Sequence, residues 1–434
     1  MKRLGLLVLI CFWSLIGHAE AQEIIPLQPL IDQTKANGEL ILDAAIYEGN
    51  VVISKPITIK GKKGTVIKGD KTGNVIEIRS DSVVLDTFSV EGSGMDRSSH
   101  EEYSAIRVIA NGAIMRNLNI SDSFHGIYLN KTSDTTISNV DIVGKGTGEI
   151  ANQGNGIHIA RSSNNHIDHS RIKQTRDGIY VEYSNGNVIT DNTITDTRYG
   201  LHYMYSNNNE FKRNSFIKNV GGAAIMQSDH ILLEENKFSF NQGSRSFGLI
   251  VQTSRDIHVL NNEFHLNQRG LYLEQSTSNV IEGNEFFQNQ IGIELWTSST
   301  AHVFVKNEFR KNRIHALTVG GESNNDWFRN GEGNFWNMPM FDFDKNGVGD
   351  EPFEYTSSLG ELVESNELAY LFLSSPAITI FEKANELLTS YKVMAYDKYP
   401  LMSDRNDKGF TWIVVAALLL AIGLVLYKKK AVRK

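Results

Sequence analysis

Residues Gly270–Trp296 read GLYLEQSTSNVIEGNEFFQNQIGIELW. A glycine opens a short alternating apolar segment. Asparagines follow at nine, fourteen and nineteen residues, and Gly292 restarts the pattern at twenty-two. The same opening recurs at Gly126, Gly156, Gly178, Gly200, Gly222, Gly248, Gly270 and Gly292, with steps of 30, 22, 22, 22, 26, 22 and 22. The longer steps leave room for bulging loops. Asparagines keep the register at Asn165, Asn187, Asn209 and Asn279, at Asn192, Asn214, Asn236, Asn262 and Asn284, and at Asn219, Asn241, Asn267 and Asn289. A fixed period of this length marks a stacked repeat.

Three short segments and three bends per step predict an all-β fold, a right-handed parallel β-helix. Asparagine tolerates left-handed backbone at a bend, and stacked amides can bond from turn to turn. Helical spacing of apolar residues is missing, as is a leucine-rich frame. Segments such as NVVISKPITIKG and SVVLDTFSVEG extend the stack back to about Gly38, and Glu91–Ser104 is polar enough to leave it as a loop. About twelve turns at ~4.8 Å each give a rod on the order of 60 Å long.

The expected organisation is a signal peptide over 1–21, the β-helix over 22–319 and a mixed loop-and-helix cap over 320–409. A single C-terminal transmembrane helix (410–427) and a cytoplasmic tail (428–434) complete it. Lys2 and Arg3 precede the apolar run Leu4–Ile16, and Ala19–Ala21 suits cleavage before Gln22. Cys11 lies inside that run, so the mature chain has no cysteine and is held by packing and hydrogen bonds. Phe410–Tyr427 is uncharged and followed by Lys428, Lys429 and Lys430, which places the tail in the cytoplasm and the body in the periplasm, anchored in the inner membrane. Within the cap, Leu359–Leu373 and Pro376–Leu388 read as helices. A net charge of −7 without an interior basic block excludes nucleic acid as a partner.

In each repeat the first and third residues after glycine are apolar, as in Ile179/Val181 and Leu271/Leu273, and fill the interior. The second and fourth then face outward. They include Tyr128, His158, Tyr180, His202 and Tyr272, and Glu182, Met204, Met226, Glu274 and Trp296. Such a face is a binding surface by composition. His158, His202, Met204 and Met226 are the copper candidates, because thioether and imidazole suit Cu(I). Tyr128, Tyr180, Tyr272, Trp296, Glu182 and Glu274 define the rest of the face, which also suits a sugar or a partner protein. A loop-covered, non-binding face is the plainer reading.

A glycosidase needs two carboxylates at fixed separation, about 5–10 Å. Glu182 and Glu274 stand four turns apart, roughly 19 Å. Glu294 is close to Glu274, but only Tyr272 and Trp296 keep it company. Arg171–Lys173 matches one piece of the polygalacturonase pattern, and its acidic and histidine pieces are missing. The chain reads as no enzyme, with a carbohydrate-binding or carbohydrate-active envelope protein as the alternative.

Asp342, Asp344, Asn346, Val348 and Asp350 stand at positions one, three, five, seven and nine of a calcium-type loop, with Gly347 at six. Position twelve is Phe353, so this is no intact EF-hand. A structural calcium and a plain acidic turn both fit.

The strings YGLHYMYSNNN (199–209), RGLYLEQSTSNVIEGNEF (269–286), GEGNFWN (331–337), FDFDKNGVGDEPFE (341–354) and YDKYPLM (396–402) resemble the NosD family of nitrous oxide reductase maturation proteins. The resemblance covers nearly the whole mature chain. It implies a periplasmic right-handed β-helix that associates with the permease and ATPase of an ABC transporter. It also implies a copper chaperone and nitrous oxide reductase itself as partners, in assembly of the reductase's copper–sulfur site. No family motif supplies ligands, and the C-terminal anchor is not a defining family feature.

Overall fold

The computed structural model describes residues 24–95, 102–146, 148–243, 245–321, 324–373, 375–385 and 392–402. The expected signal peptide and the segment Phe410–Tyr427 lie outside them. Among the described residues no helix is long and apolar enough to cross a membrane.

The chain winds into a right-handed parallel solenoid of about 13 turns. One face is a sheet of twelve parallel strands that runs from Val51–Ile53 through Asp177–Glu182 and Tyr199–Met204 to Ile314–Val319. The other strands form a second, continuous 23-stranded sheet that wraps the remaining sides. The stack starts earlier than Gly38: Ile24–Pro26 pairs in parallel with Ile46–Glu48. The helix Leu27–Gln33 then lays Leu27 and Ile31 on the first turn's core.

Alternation after each glycine puts both interior positions at zero exposure in all the repeats, from Ile127 and Leu129 to Ile293 and Leu295. The glycine is required by closeness: a Cβ on Gly200 would meet the Gly222 carbonyl oxygen at 2.5 Å and a Phe216 ring carbon at 2.6 Å.

The bends divide their work differently from the sequence expectation. The left-handed residue is the one before each repeating asparagine: Asn164, Asp191, Asn208, Arg213, Lys218, Glu235, Phe240 and Leu266 all have φ between 54° and 58°. The asparagine after it is buried and turns its amide along the rod. Asn214 N–H donates to Asn236 Oδ1 at 2.9 Å, while Asn214 Nδ2 donates to the Ile189 carbonyl at 2.8 Å. Each amide oxygen thus satisfies a bend N–H, and each Nδ2 adds a second donor to a strand carbonyl inside the rod. In the last described turns His302 takes the place of an asparagine. Its Nδ1 accepts from Asn279 N–H at 3.1 Å, and burial pushes its pKa down to about 4.

Phe216, Phe238, Phe264, Phe286 and Phe309 stack face to face inside the rod at 4.8–5.2 Å, and Trp336 continues the stack at 4.7 Å. Asp397 ends the neighbouring asparagine ladder. It is fully buried and accepts from Asn334 N–H at 2.7 Å and Trp336 Nε1–H at 2.9 Å. A Cβ on Gly333 would lie 1.9 Å from its Oδ1. The strands Phe353–Thr356 and Val393–Asp397 pair antiparallel beside this plug.

The helix Ser358–Ser365, capped by Ser357 Oγ on Gly360 N–H, packs Leu359 and Val363 onto Ile314 and Leu317. The helix expected to run to Leu373 stops at Ser365. Asn366 is extended and caps a separate 3-10 turn, Glu367–Phe372. Pro376 does open a helix, described to Asn385.

Candidate functional site

Parallel register carries the outward residues into columns on the twelve-stranded sheet. One column runs Tyr128, His158, Tyr180, His202, Ala224. The next runs Glu182, Met204, Met226, Gln252, Glu274. The first column is a ring stack: Tyr128, His158, Tyr180 and His202 have successive centroids 4.8, 4.7 and 4.7 Å apart.

This face is more covered than alternation predicts. Tyr128 and His158 are only 8% and 6% exposed. His202, Met204 and Met226 are half-buried, and Trp296 is exposed. The Tyr180 ring separates His158 from His202 by two strand spacings, roughly 9–10 Å, so the two histidines do not share a ligand sphere. Met204 and Met226 are direct cross-strand partners, two residues on from His202 and Ala224. The structure therefore gathers His202, Met204 and Met226 and sets His158 apart.

Two histidine–carboxylate pairs flank the stack, and they differ in which ring nitrogen they leave open. His125 Nε2 lies 2.6 Å from Glu102 Oε2, and its Nδ1 accepts from Asn155 N–H at 2.9 Å. Burial holds His125 below its ordinary pKa, so it is neutral and its one ring proton sits on Nε2, donated to Glu102. Ligand atoms of Glu102, His125 and His158 lie within 4.8 Å of one another. A metal on His125 Nε2 would have to displace the ring's last proton, so this trio is a hydrogen-bonded pair beside a buried imidazole. His158 Nε2 is 3.4 Å from Glu182 Oε1 without hydrogen-bond geometry.

The second pair is reversed. His202 Nδ1 lies 3.0 Å from Asp177 Oδ2, and Nε2 points away from this contact. Asp177 also accepts from Arg198, Nε to Oδ1 at 2.8 Å and Nη2 to Oδ2 at 2.5 Å. Burial pushes the Asp177 carboxyl up, but the His202 and Arg198 bonds outweigh it and hold it below the usual range. Arg198 stacks on Tyr199 at 4.5 Å, and Tyr199 meets His202 edge-on at 5.2 Å. Asp177 and Arg198 escape a reading by alternation because they stand one and two residues before the glycines of their repeats, outside the positions counted from the glycine.

Further along, a cleft of about 600 Å³ opens between the sheet and the cap helix. Tyr199, Phe247, Arg269, Tyr272, Glu294 and Trp296 line it on the sheet side. Its carboxylates are engaged: Glu294 binds Arg269 at 2.7 Å, and Glu364 of the cap helix pairs with Lys392 at 3.0 Å. On the open face, Glu274 accepts from Gln252 at 2.8 Å. Glu182 accepts from Tyr180 at 3.2 Å. Glu182 and Glu274 are four strand steps apart, as the repeat arithmetic requires.

The carboxylate oxygens of Asp342, Asp344 and Asp350 lie within 4.8 Å of one another. Asn346 N–H donates to Asp342 and Asp344 at 3.1 Å each, Gly347 N–H to Asp342 at 3.0 Å, and Val348 N–H to Asn346 Oδ1 at 2.7 Å. The loop is tied to the plug region by Gly349 N–H on the Pro400 carbonyl at 2.7 Å.

Residues 140–340 match the model of a family described as periplasmic copper-binding protein (NosD). A probable ABC transporter binding protein NosD of Pseudomonas aeruginosa is 32% identical over 416 residues, 92% of this chain and 94% of that protein. Its counterpart in Stutzerimonas stutzeri is 31% identical over 424 residues, 93% and 95% of the two chains. The chain belongs to the NosD family.

The stretch that matches the NosD model holds His158, Asp177, His202, Met204, Met226 and the sheet side of the cleft, and excludes Glu102, the acidic loop and the cap helix. Among solved structures, the A-module of the Azotobacter vinelandii mannuronan C-5 epimerase AlgE6 aligns with 72% of this chain and 94% of its own at TM-score 0.51 and 11% identity. PfbA, a surface adhesin of Streptococcus pneumoniae, aligns with 68% and 89% at TM-score 0.54 and 15% identity. One is an enzyme and one an adhesin, so what they share with this NosD-family chain is the fold.

Proposed function

We propose that this chain is a non-enzymatic maturation factor for the copper–sulfur site of nitrous oxide reductase. It works in the periplasm with the permease and ATPase of an ABC transporter and with a copper chaperone, and copper is its transient cargo. The observation that carries this reading is the cross-strand methionine pair beside a histidine that a buried carboxylate orients. Two thioethers and an imidazole fit Cu(I). The family's description as copper-binding and the relatives' names as transporter binding proteins support it, as do the four strand steps between Glu182 and Glu274 and the pairing of Glu294 with Arg269.

Met204→Leu/Met226→Leu tests it. Leucine nearly conserves volume, so the melt should barely move. Cu(I) affinity should fall at least about tenfold, the loss of soft ligands from the site, and reductase activation should fall with it, while transporter association stays normal. Full copper loading of the reductase by the double variant would sink the reading. Loss of transporter association with Cu(I) affinity intact would make the face a docking surface.

The cleft lined by Tyr272 and Trp296 favours a second reading, an oligosaccharide-binding envelope protein. Saturable binding of a soluble oligosaccharide, lost in Trp296→Ala, would establish it.

Two accessory proposals complete the picture. Phe410–Tyr427 anchors the chain in the inner membrane with Lys428–Lys434 in the cytoplasm; recovery of the full-length chain in the soluble periplasmic fraction would refute this. The Asp342–Asp350 loop holds a structural calcium through Asp342, Asp344, Asn346, Asp350 and the Val348 carbonyl. A chelator should then lower the melting temperature of the wild type and leave that of Asp344→Ala unmoved. Equal responses would remove calcium from the account.

A further inference from the structure

We infer that Asp177 is a positioning residue that locks His202 in the Nδ1–H tautomer, so that the Nε2 lone pair is presented as an imidazole ligand for a soft metal ion beside Met204 and Met226. This rests on the copper reading above and gives it a residue that neither the motifs nor the repeat pattern single out.

The argument starts from the Asp177 carboxylate, which is 2% exposed. A buried carboxylate accepts and cannot donate. With His202 Nδ1 at 3.0 Å from Oδ2, the stable arrangement puts the ring proton between them. Arg198 Nη2 lies 3.2 Å from the same Nδ1 and competes for it. If Arg198 donated to Nδ1, a bare nitrogen and a carboxylate oxygen would face each other 3.0 Å apart inside the protein. The carboxylate takes the Nδ1 proton and leaves Arg198 to fill its remaining acceptor sites, Nε on Oδ1 and Nη2 on Oδ2. Metal-binding histidines generally donate their second ring N–H to such a carboxylate, which fixes the tautomer and raises ligand basicity.

The surroundings agree. Tyr180 and Tyr199 hold the ring from two sides at 4.7 and 5.2 Å. The cross-strand neighbour of His202 is Ala224, fully buried with Phe247 and Ile250 in an apolar cluster that Met226 packs against. Beside it, Met204 faces Met226. His125 is the internal contrast: its carboxylate partner sits on Nε2 and a backbone N–H on Nδ1, so neither nitrogen is open.

The test reads the tautomer directly. Long-range ¹H–¹⁵N correlation spectra of the full-length, ¹⁵N-histidine-labelled chain, with His202 assigned by its loss in His202→Gln, should show a protonated Nδ1 and a bare Nε2. Asp177→Asn must turn either its oxygen or its amide toward His202 and so should lose the single tautomer. Arg198→Gln keeps the carboxylate and should retain it. Cu(I) affinity, measured against a chromophoric chelator, should fall about 10- to 100-fold in Asp177→Asn, the usual cost of removing such a partner. It should fall far less in Arg198→Gln. A protonated Nε2 in the wild type overturns the proposal whatever the variants do. The expected tautomer in a wild-type chain that binds no Cu(I) overturns the copper reading, and with it the purpose assigned to Asp177.

Discussion

Ile179→Asp should unfold the central turns of the rod. Ile179 is fully buried, in register between Ile157 and Leu201, with the opposite faces of the solenoid packed beneath it. An aspartate there meets neither water nor a basic group. It must ionise in an apolar interior or fold protonated with both oxygens unpartnered, and either route costs about 4 kcal/mol or more on top of the lost burial. Against a typical total of about 5–15 kcal/mol, that removes much of the margin. The expected result is a large fall in melting temperature by circular dichroism, or an insoluble chain. Lys173→Asp, on an exposed strand end, should change stability by no more than about 0.5 kcal/mol. Equal melts for the two variants would mean that the alternation after glycine has been assigned to the wrong faces.

That alternation was the legible part. Because a strand's side chains change face at every residue, a glycine-anchored pattern repeated many times leaves one consistent inside, and the structure keeps it from Ile127 to Leu295. The repeat length was legible for the same reason: each turn must come back into register with the last. Less legible were the places where the period lapses. The helix Leu27–Gln33 and the start of the stack at Ile24 occur once, so no repetition signals them. At the bends, asparagine's abundance pointed to left-handed backbone at the asparagine itself. The positive φ falls on the residue before, where Arg213, Phe240 and Leu266 are tolerated because the ladder beside them fixes the turn.

The candidate site was half legible. Composition and parity found His202, Met204 and Met226, and register shows why two methionines far apart in sequence are neighbours. The same rule grouped His158 with them, because a column looks continuous from sequence while the Tyr180 ring divides it in space. Asp177 and Arg198 were invisible, since they stand before the glycines from which parity was counted. The motif pieces around Asn334 and Asp397, far apart in sequence, meet to close the rod's polar ladder.

Asn262→Leu should cost more than its size suggests, on the order of 3–5 kcal/mol, and the reason separates this fold from one held by apolar packing alone. Asn262 Oδ1 accepts from Asn236 N–H at 2.8 Å and from Asn236 Nδ2 at 3.0 Å. Its own Nδ2 donates to the Leu233 carbonyl at 2.9 Å and to Asn284 Oδ1 at 3.0 Å. Leucine fills nearly the same volume and makes none of these bonds. Formed, each bond contributes only about 1 kcal/mol net, because the unfolded chain bonds to water instead. Removed from one side, it leaves the Asn236 N–H buried and unpaired, at about 1–3 kcal/mol, and takes a second donor from the Leu233 carbonyl. The turn below also loses the amide that set its bend, and its left-handed residue, Glu235 at φ 56°, is left with less to hold it. Phe264→Leu, two residues on and inside the ring stack, removes a partner at 4.8–4.9 Å on each side but strands no polar group, and should cost less. Urea titrations of the two variants decide the order. If Phe264→Leu proves the more damaging, the asparagines follow the fold, and the stacked rings set the period that both ladders share.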